Sequence, residues 1–72
     1  MRVKINLVTT TDMIDFINIC NSTGLDVRLE DNDGNRVSAK SFLCVSAASV
    51  DWNELFCVCE QDIYGKISKW IV

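Results

Sequence analysis

The chain has 72 residues, 49% of them apolar and 24% charged, with ten acidic side chains against seven basic ones and a net charge of -3. This composition builds one small folded domain, 1–72, that buries about 60% of the surface of its unfolded chain, and it excludes a disordered tail. No two lysines or arginines are adjacent and histidine is absent, which argues against nucleic-acid or polybasic membrane binding and removes the commonest general base and metal ligand.

No apolar run approaches the ~20 residues of a membrane-spanning helix. The opening Met1 to Val8 alternates, with Val3, Ile5 and Leu7 on one side and Arg2, Lys4 and Asn6 on the other. This predicts a first strand rather than a signal-peptide core, and a cytoplasmic location with reduced thiols. Thr9, Thr10 and Thr11 then offer hydroxyls that accept from free amides at a helix start, where the dipole also favours Asp12.

Met13, Phe16, Ile17 and Cys20 form one helical stripe, which ends where Gly24 supplies a left-handed residue. Leu25 to Asp31 and Arg36 to Ala39 read as a hairpin across Asp31-Asn32-Asp33-Gly34, with Val27, Leu29, Val37 and Ala39 inward. Ser41 stands between the returning strand and a short helix expected over Phe42 to Ala48, where its oxygen is placed to act as N-cap.

Ser49 to Asn53 reads as a loop in which Trp52 plugs one end of the core. Leu55 to Glu60 is apolar on both faces and so reads as a central strand, with Phe56 and Val58 on the open side near Lys4 and Arg28. Ile63, Ile67, Trp70 and Ile71 make a last helical stripe. The expected core is Ile5, Phe16, Ile17, Val27, Leu29, Val37, Leu55, Ile67 and Trp70. The fold class is α+β: a two-layer open-faced sandwich, β-α-β-β-α-β-α, with helices on one face of a four-stranded antiparallel sheet.

The segment Gly-Asn-Arg-Val-Ser-Ala-Lys-Ser-Phe-Leu-Cys-Val-Ser-Ala-Ala, Gly34 to Ala48, resembles the regulatory segment of the HPr family, the phosphocarrier proteins of the bacterial sugar phosphotransferase system. The resemblance implies a sheet order of 1-4-2-3. It also implies a regulatory serine at Ser41, phosphorylated by an ATP-dependent HPr-type kinase, with Lys40, Phe42, Leu43 and Val45 as the partner-binding surface. The implied partners are proteins of the phosphotransferase system or a transcription-regulatory protein, with no cofactor. The family's active-site histidine and arginine have no counterpart here, because Val8 leads through threonines straight into the helix, and Cys44 replaces a family glycine. The expectation is a non-catalytic interaction module without phosphohistidine transfer.

Two other readings stand beside this one. Cys20, Cys57 and Cys59 fall on buried faces, where thiols pack as small hydrophobes, or they form a three-thiolate metal or redox site lacking the usual Cys-x-x-Cys spacing. Phe56 and Val58 are an apolar patch for a partner or a second copy, or are covered by neighbouring side chains. An enzyme is not expected, since no histidine, nucleotide-binding glycine loop or paired-carboxylate cleft is available to fill catalytic roles.

Overall fold

The computed structural model describes residues 1–72 and has the expected architecture. Its elements are β1 (Arg2–Ile5), α1 (Thr10–Ser22), β2 (Val27–Glu30), β3 (Arg36–Ser38), α2 (Phe42–Asp51), β4 (Leu55–Cys59) and α3 (Tyr64–Ile67), followed by a 3-10 turn at Ser68–Trp70. The four strands form one antiparallel sheet in the order β1-β4-β2-β3, so the two-sided apolar strand is internal. No helix is long and apolar enough to cross a membrane.

Register explains which side chains meet. Val3 pairs with Cys57 and Ile5 with Leu55 across β1 and β4, while Leu29 pairs with Cys57 and Val37 across β4 and β3. Alternation therefore sends Ile5, Val27, Leu29, Leu55, Cys57 and Cys59 to the helix side, where each is buried. α1 adds Phe16, Ile17 and Cys20, and α2 adds Val45 and Ala48. Phe16 meets Trp70 edge to face, with ring centroids 5.6 Å apart. Such a pair contributes about 0.5–1.5 kcal/mol beyond the area it buries.

Several boundaries differ from the sequence expectation. β1 stops at Ile5 although the alternation runs to Val8, because the register ends at Ile5 and Leu55. α2 continues to Asp51 instead of stopping at Ala48: Ser46 and Ser49 donate their hydroxyls to the carbonyls of Leu43 and Val45, so these serines fit inside the helix. Trp52 ends that helix half-buried, its N–H donating to the Ala48 carbonyl, and packs against the core. Val37 is only half-buried because β3 is an edge strand.

The last helical stripe splits. α3 lasts one turn, the 3-10 turn carries Trp70 inward, and Ile71 leaves the helix to bridge Ile5. The Asn6 N–H donates to the Trp70 carbonyl and the Val72 N–H to the Lys4 carbonyl, which closes part of the β1 edge. The hairpin is organised by Asp31, the one buried charged residue. Its carboxylate accepts from the Asp33 and Asn35 N–H groups and from the Asn35 amide, while Gly34 takes φ +89°.

Candidate functional site

Ser41 has extended backbone dihedrals, φ -101° and ψ 120°, and its Oγ accepts from the Cys44 N–H at 3.4 Å. It is thus the N-cap of α2, as its position in the sequence led one to expect. The bond is long, and the hydroxyl is half-buried rather than enclosed. Behind it Ala39 is fully buried and donates its N–H to the Val27 carbonyl, fixing where the strand ends and the helix begins. Lys40 is half-buried next to it.

The helix that Ser41 starts is unusual in its outer face. Its ten residues, Phe42 to Asp51, contain no charge before Asp51. Leu43 and Val50 are each 79% exposed and Phe42 is 43% exposed. Leu43, Ala47 and Val50 recur at four and three residues, so they make one stripe pointing away from the core. Because the hydroxyls of Ser46 and Ser49 are turned back onto the helix carbonyls, the polar content of that surface is low.

Of the four residues expected on this surface, Phe42 and Leu43 lie there and Lys40 borders it. Val45 does not. It is fully buried on the opposite side of α2 and packs in the core, since a residue two positions beyond Leu43 is rotated by about 200°. Val50 lies beyond the helix end expected at Ala48, and Ala47, although inside that helix, is not among the residues the resemblance groups around Ser41. The signal was present: Val50 lies seven residues after Leu43, two turns further along the same stripe.

The other end of the sandwich shows what occupies the start of α1, where the resemblance would place a phosphocarrier site. Thr9 caps α1, its Oγ1 accepting from the Asp12 N–H at 3.0 Å, and Asp12 Oδ2 accepts in return from the Thr9 and Val8 N–H groups. Asp12 Oδ1 accepts from the Trp70 indole N–H at 3.3 Å. The hydrogen bond from the Thr9 backbone, then that from Trp70, hold the Asp12 carboxyl below its ordinary 3.8. Thr9 and Asp12 thus close the start of α1 as a reciprocal capping box, with Asp12 also favoured by the helix dipole. Sequence reasoning saw Asp12 as a partner of the dipole but not the Trp70 link, which spans 58 residues.

The thiols come together without forming a metal centre. Cys20, Cys57 and Cys59 are all buried, Cys44 is half-buried, and all four are free. Burial pushes the Cys20 and Cys57 thiols up to about 12, with neighbouring cysteines adding to the effect. No group of three histidine, cysteine or carboxylate side chains is arranged to hold a metal ion. Protonated, enclosed thiols pack as small hydrophobes and are poor nucleophiles.

On the open face of the sheet, Phe56 and Val58 are half-buried. The Arg2 guanidinium lies 3.8 Å from the Phe56 ring centroid and donates to Asn32, so Arg2 covers the ring from within the chain, while the register sets Lys4 across from Phe56 and Arg28 across from Val58. Comparisons of this chain with protein-family models, curated proteins and solved structures return no match.

Proposed function

We propose that the protein is a non-catalytic, HPr-like interaction module that docks protein partners through the outer face of α2, with Ser41 as the regulatory phosphosite. The observation that carries this reading is the coincidence of a serine N-cap with an exposed, charge-free stripe, Leu43, Ala47 and Val50, on the helix it starts. The element order, the sheet order and the Lys40-Ser41-Phe42 segment support the family likeness. A phosphate on Ser41 adds about -1.5 to -2 charge at the positive end of α2, beside Lys40, where it is electrostatically favourable and stands next to Phe42. Partners that bury the stripe meet that charge at its rim, which makes docking sensitive to the modification.

Phosphohistidine transfer is not part of the proposal. The chain has no histidine, and the start of α1 is occupied by Asp12. The proposed partners are those of the phosphotransferase system or of transcription control, together with an HPr-type serine kinase. Affinity capture with wild type, Leu43→Lys and Ser41→Asp in parallel tests the docking surface. Partners held by wild type are expected to be lost with Leu43→Lys and altered with Ser41→Asp. A partner set identical in all three overturns the assignment of the α2 face.

A further inference from the structure

The stripe on the outer face of α2 has the spacing of a two-helix seam. Leu43, Ala47 and Val50 stand four and three residues apart, the d, a, d order of a heptad, with a small side chain between two branched ones. Leu43 and Val50 are each 79% exposed, so α1 and β3, the elements packed beside α2, leave them open. The pattern is close to symmetric about Ala47. Turned end for end against a second copy about a two-fold axis at Ala47, the helix sets Leu43 against the partner's Val50 and Val50 against the partner's Leu43. The two alanines then meet at the centre, where small side chains let helix axes approach to about 8 Å.

Charge favours the same arrangement. The charged residue nearest the start of α2 is Lys40, those nearest its end are Asp51 and Glu54, and none lies between Lys40 and Asp51. Val72, with the carboxylate that ends this chain, lines a cleft with Trp52 and Glu54 at that same end, so the end is negative throughout. In the turned pair the positive start of each helix lies beside the negative end of the other, whereas a parallel pair sets like ends together. The neighbouring elements leave this balance intact. The two acidic side chains of α1, Asp12 and Asp15, go to the Trp70 indole and to Lys69. Arg36, the one charged residue of β3, lies across from Glu30 on the other face of the sheet.

We infer that the outer face of α2 pairs with the same face of a second copy of this chain, antiparallel about Ala47, and that a negative charge at Ser41 opens the pair. The inference rests on the reading of this face as a docking surface with Ser41 as its switch. In the pair Ser41 stands beside the partner's Asp51, so a charge on Ser41 meets a like charge twice, once at each end. Opening the pair frees the stripe for other proteins. One ten-residue helix buries less than the roughly 1,200 Å² of a standard interface, so the pair is weak, with a Kd of about 0.1–1 mM.

Sedimentation of wild type from about 20 μM to about 2 mM spans that range. Wild type is expected to pass from monomer to dimer, while Leu43→Lys and Val50→Lys, both at exposed positions, stay monomeric. Ser41→Asp is expected to weaken association about 3- to 30-fold, through one repulsive contact at each end. Adding Asp51→Lys to Ser41→Asp is expected to restore association to within about twofold of wild type, since unlike charges then meet again. Wild type that stays monomeric at the highest concentration overturns the inference. So does a dimer that both lysine variants leave intact, or a double variant that associates no more tightly than Ser41→Asp. A monomeric wild type whose captured partners are still lost with Leu43→Lys overturns the self-pairing alone and leaves the docking surface standing.

Discussion

Substitutions at Ser41 separate its capping role from its tolerance of negative charge. The 3.4 Å bond to the Cys44 N–H is the only one its side chain makes, and no acidic residue follows in the first turn of α2. Ser41→Ala removes a long cap bond, so its cost lies near the low end of the usual range, about 0.5 kcal/mol. In a domain of this size that lowers Tm by about 2–4 °C. Ser41→Asp keeps an acceptor for the same N–H and adds a charge at the positive end of the helix, a gain of about 0.3–1 kcal/mol at low salt. Thermal unfolding followed by circular dichroism is expected to rank Ser41→Asp above Ser41→Ala by about 3–12 °C at low ionic strength, when the retained cap and the charge act together. The charge-dependent share of the gap shrinks in about 1 M salt, where the screening length is about 3 Å. Thr9→Ala is the calibrating variant: it breaks a reciprocal capping box and costs about 1–2 kcal/mol. Ser41→Asp no more stable than Ser41→Ala at low salt would refute the reasoning that an anion is welcome at this helix start.

Leu43→Ala, on a side chain 79% exposed, is expected to change stability by less than about 0.5 kcal/mol, whereas Val45→Ala, fully buried, is expected to cost about 1–3 kcal/mol in urea unfolding; equal losses would contradict their assignment to opposite sides of α2. In the native protein a thiol reagent is expected to modify Cys44 first, with Cys20, Cys57 and Cys59 reacting only on unfolding, and purified protein is expected to carry no stoichiometric zinc; rapid reaction of all four thiols would contradict the burial. The stability profile against pH is expected to fall at both ends. Asp12 and Asp31 have folded values below 3.8, so their stabilisation is present above that value and is lost as pH falls through the depressed folded values. Cys20 and Cys57 rise from 9.0 to about 12, so their protonated burial stabilises below pH 9.0 and is lost as pH rises towards about 12. A profile still flat at pH 11 would contradict the second limb.

The sheet was legible because period-two alternation survives in β1, β2 and β4, and the two-sided apolar β4 marks itself as an internal strand; the full order β1-β4-β2-β3 was implied by the family resemblance, since periodicity does not say which strands are neighbours. Ser41 was legible for a local reason: a hydroxyl immediately before an apolar helical run is a cap. What escaped was non-local or depended on the exact length of an element. The back-bonding of Ser49 decided that α2 runs on to Asp51, and only that length brings Val50 into line with Leu43. Val45 was placed on the contact surface because resemblance groups residues by adjacency in sequence, whereas a helix sorts them by angle. The closing of Trp70 onto Asp12 and of Ile71 onto Ile5 depends on tertiary contacts that no periodicity encodes; the same stripe of apolar residues serves a continuous helix as well as the broken one.

The most direct measurement of the account is modification at Ser41 itself. Wild type, Ser41→Ala and a substrate known to be phosphorylated are incubated with an HPr-type serine kinase and ATP, then compared by intact mass and peptide mapping. The account predicts one phosphate on wild type, mapped to Ser41, and none on Ser41→Ala. An unmodified wild-type protein beside a phosphorylated control, or a phosphate mapped to another serine, would contradict it.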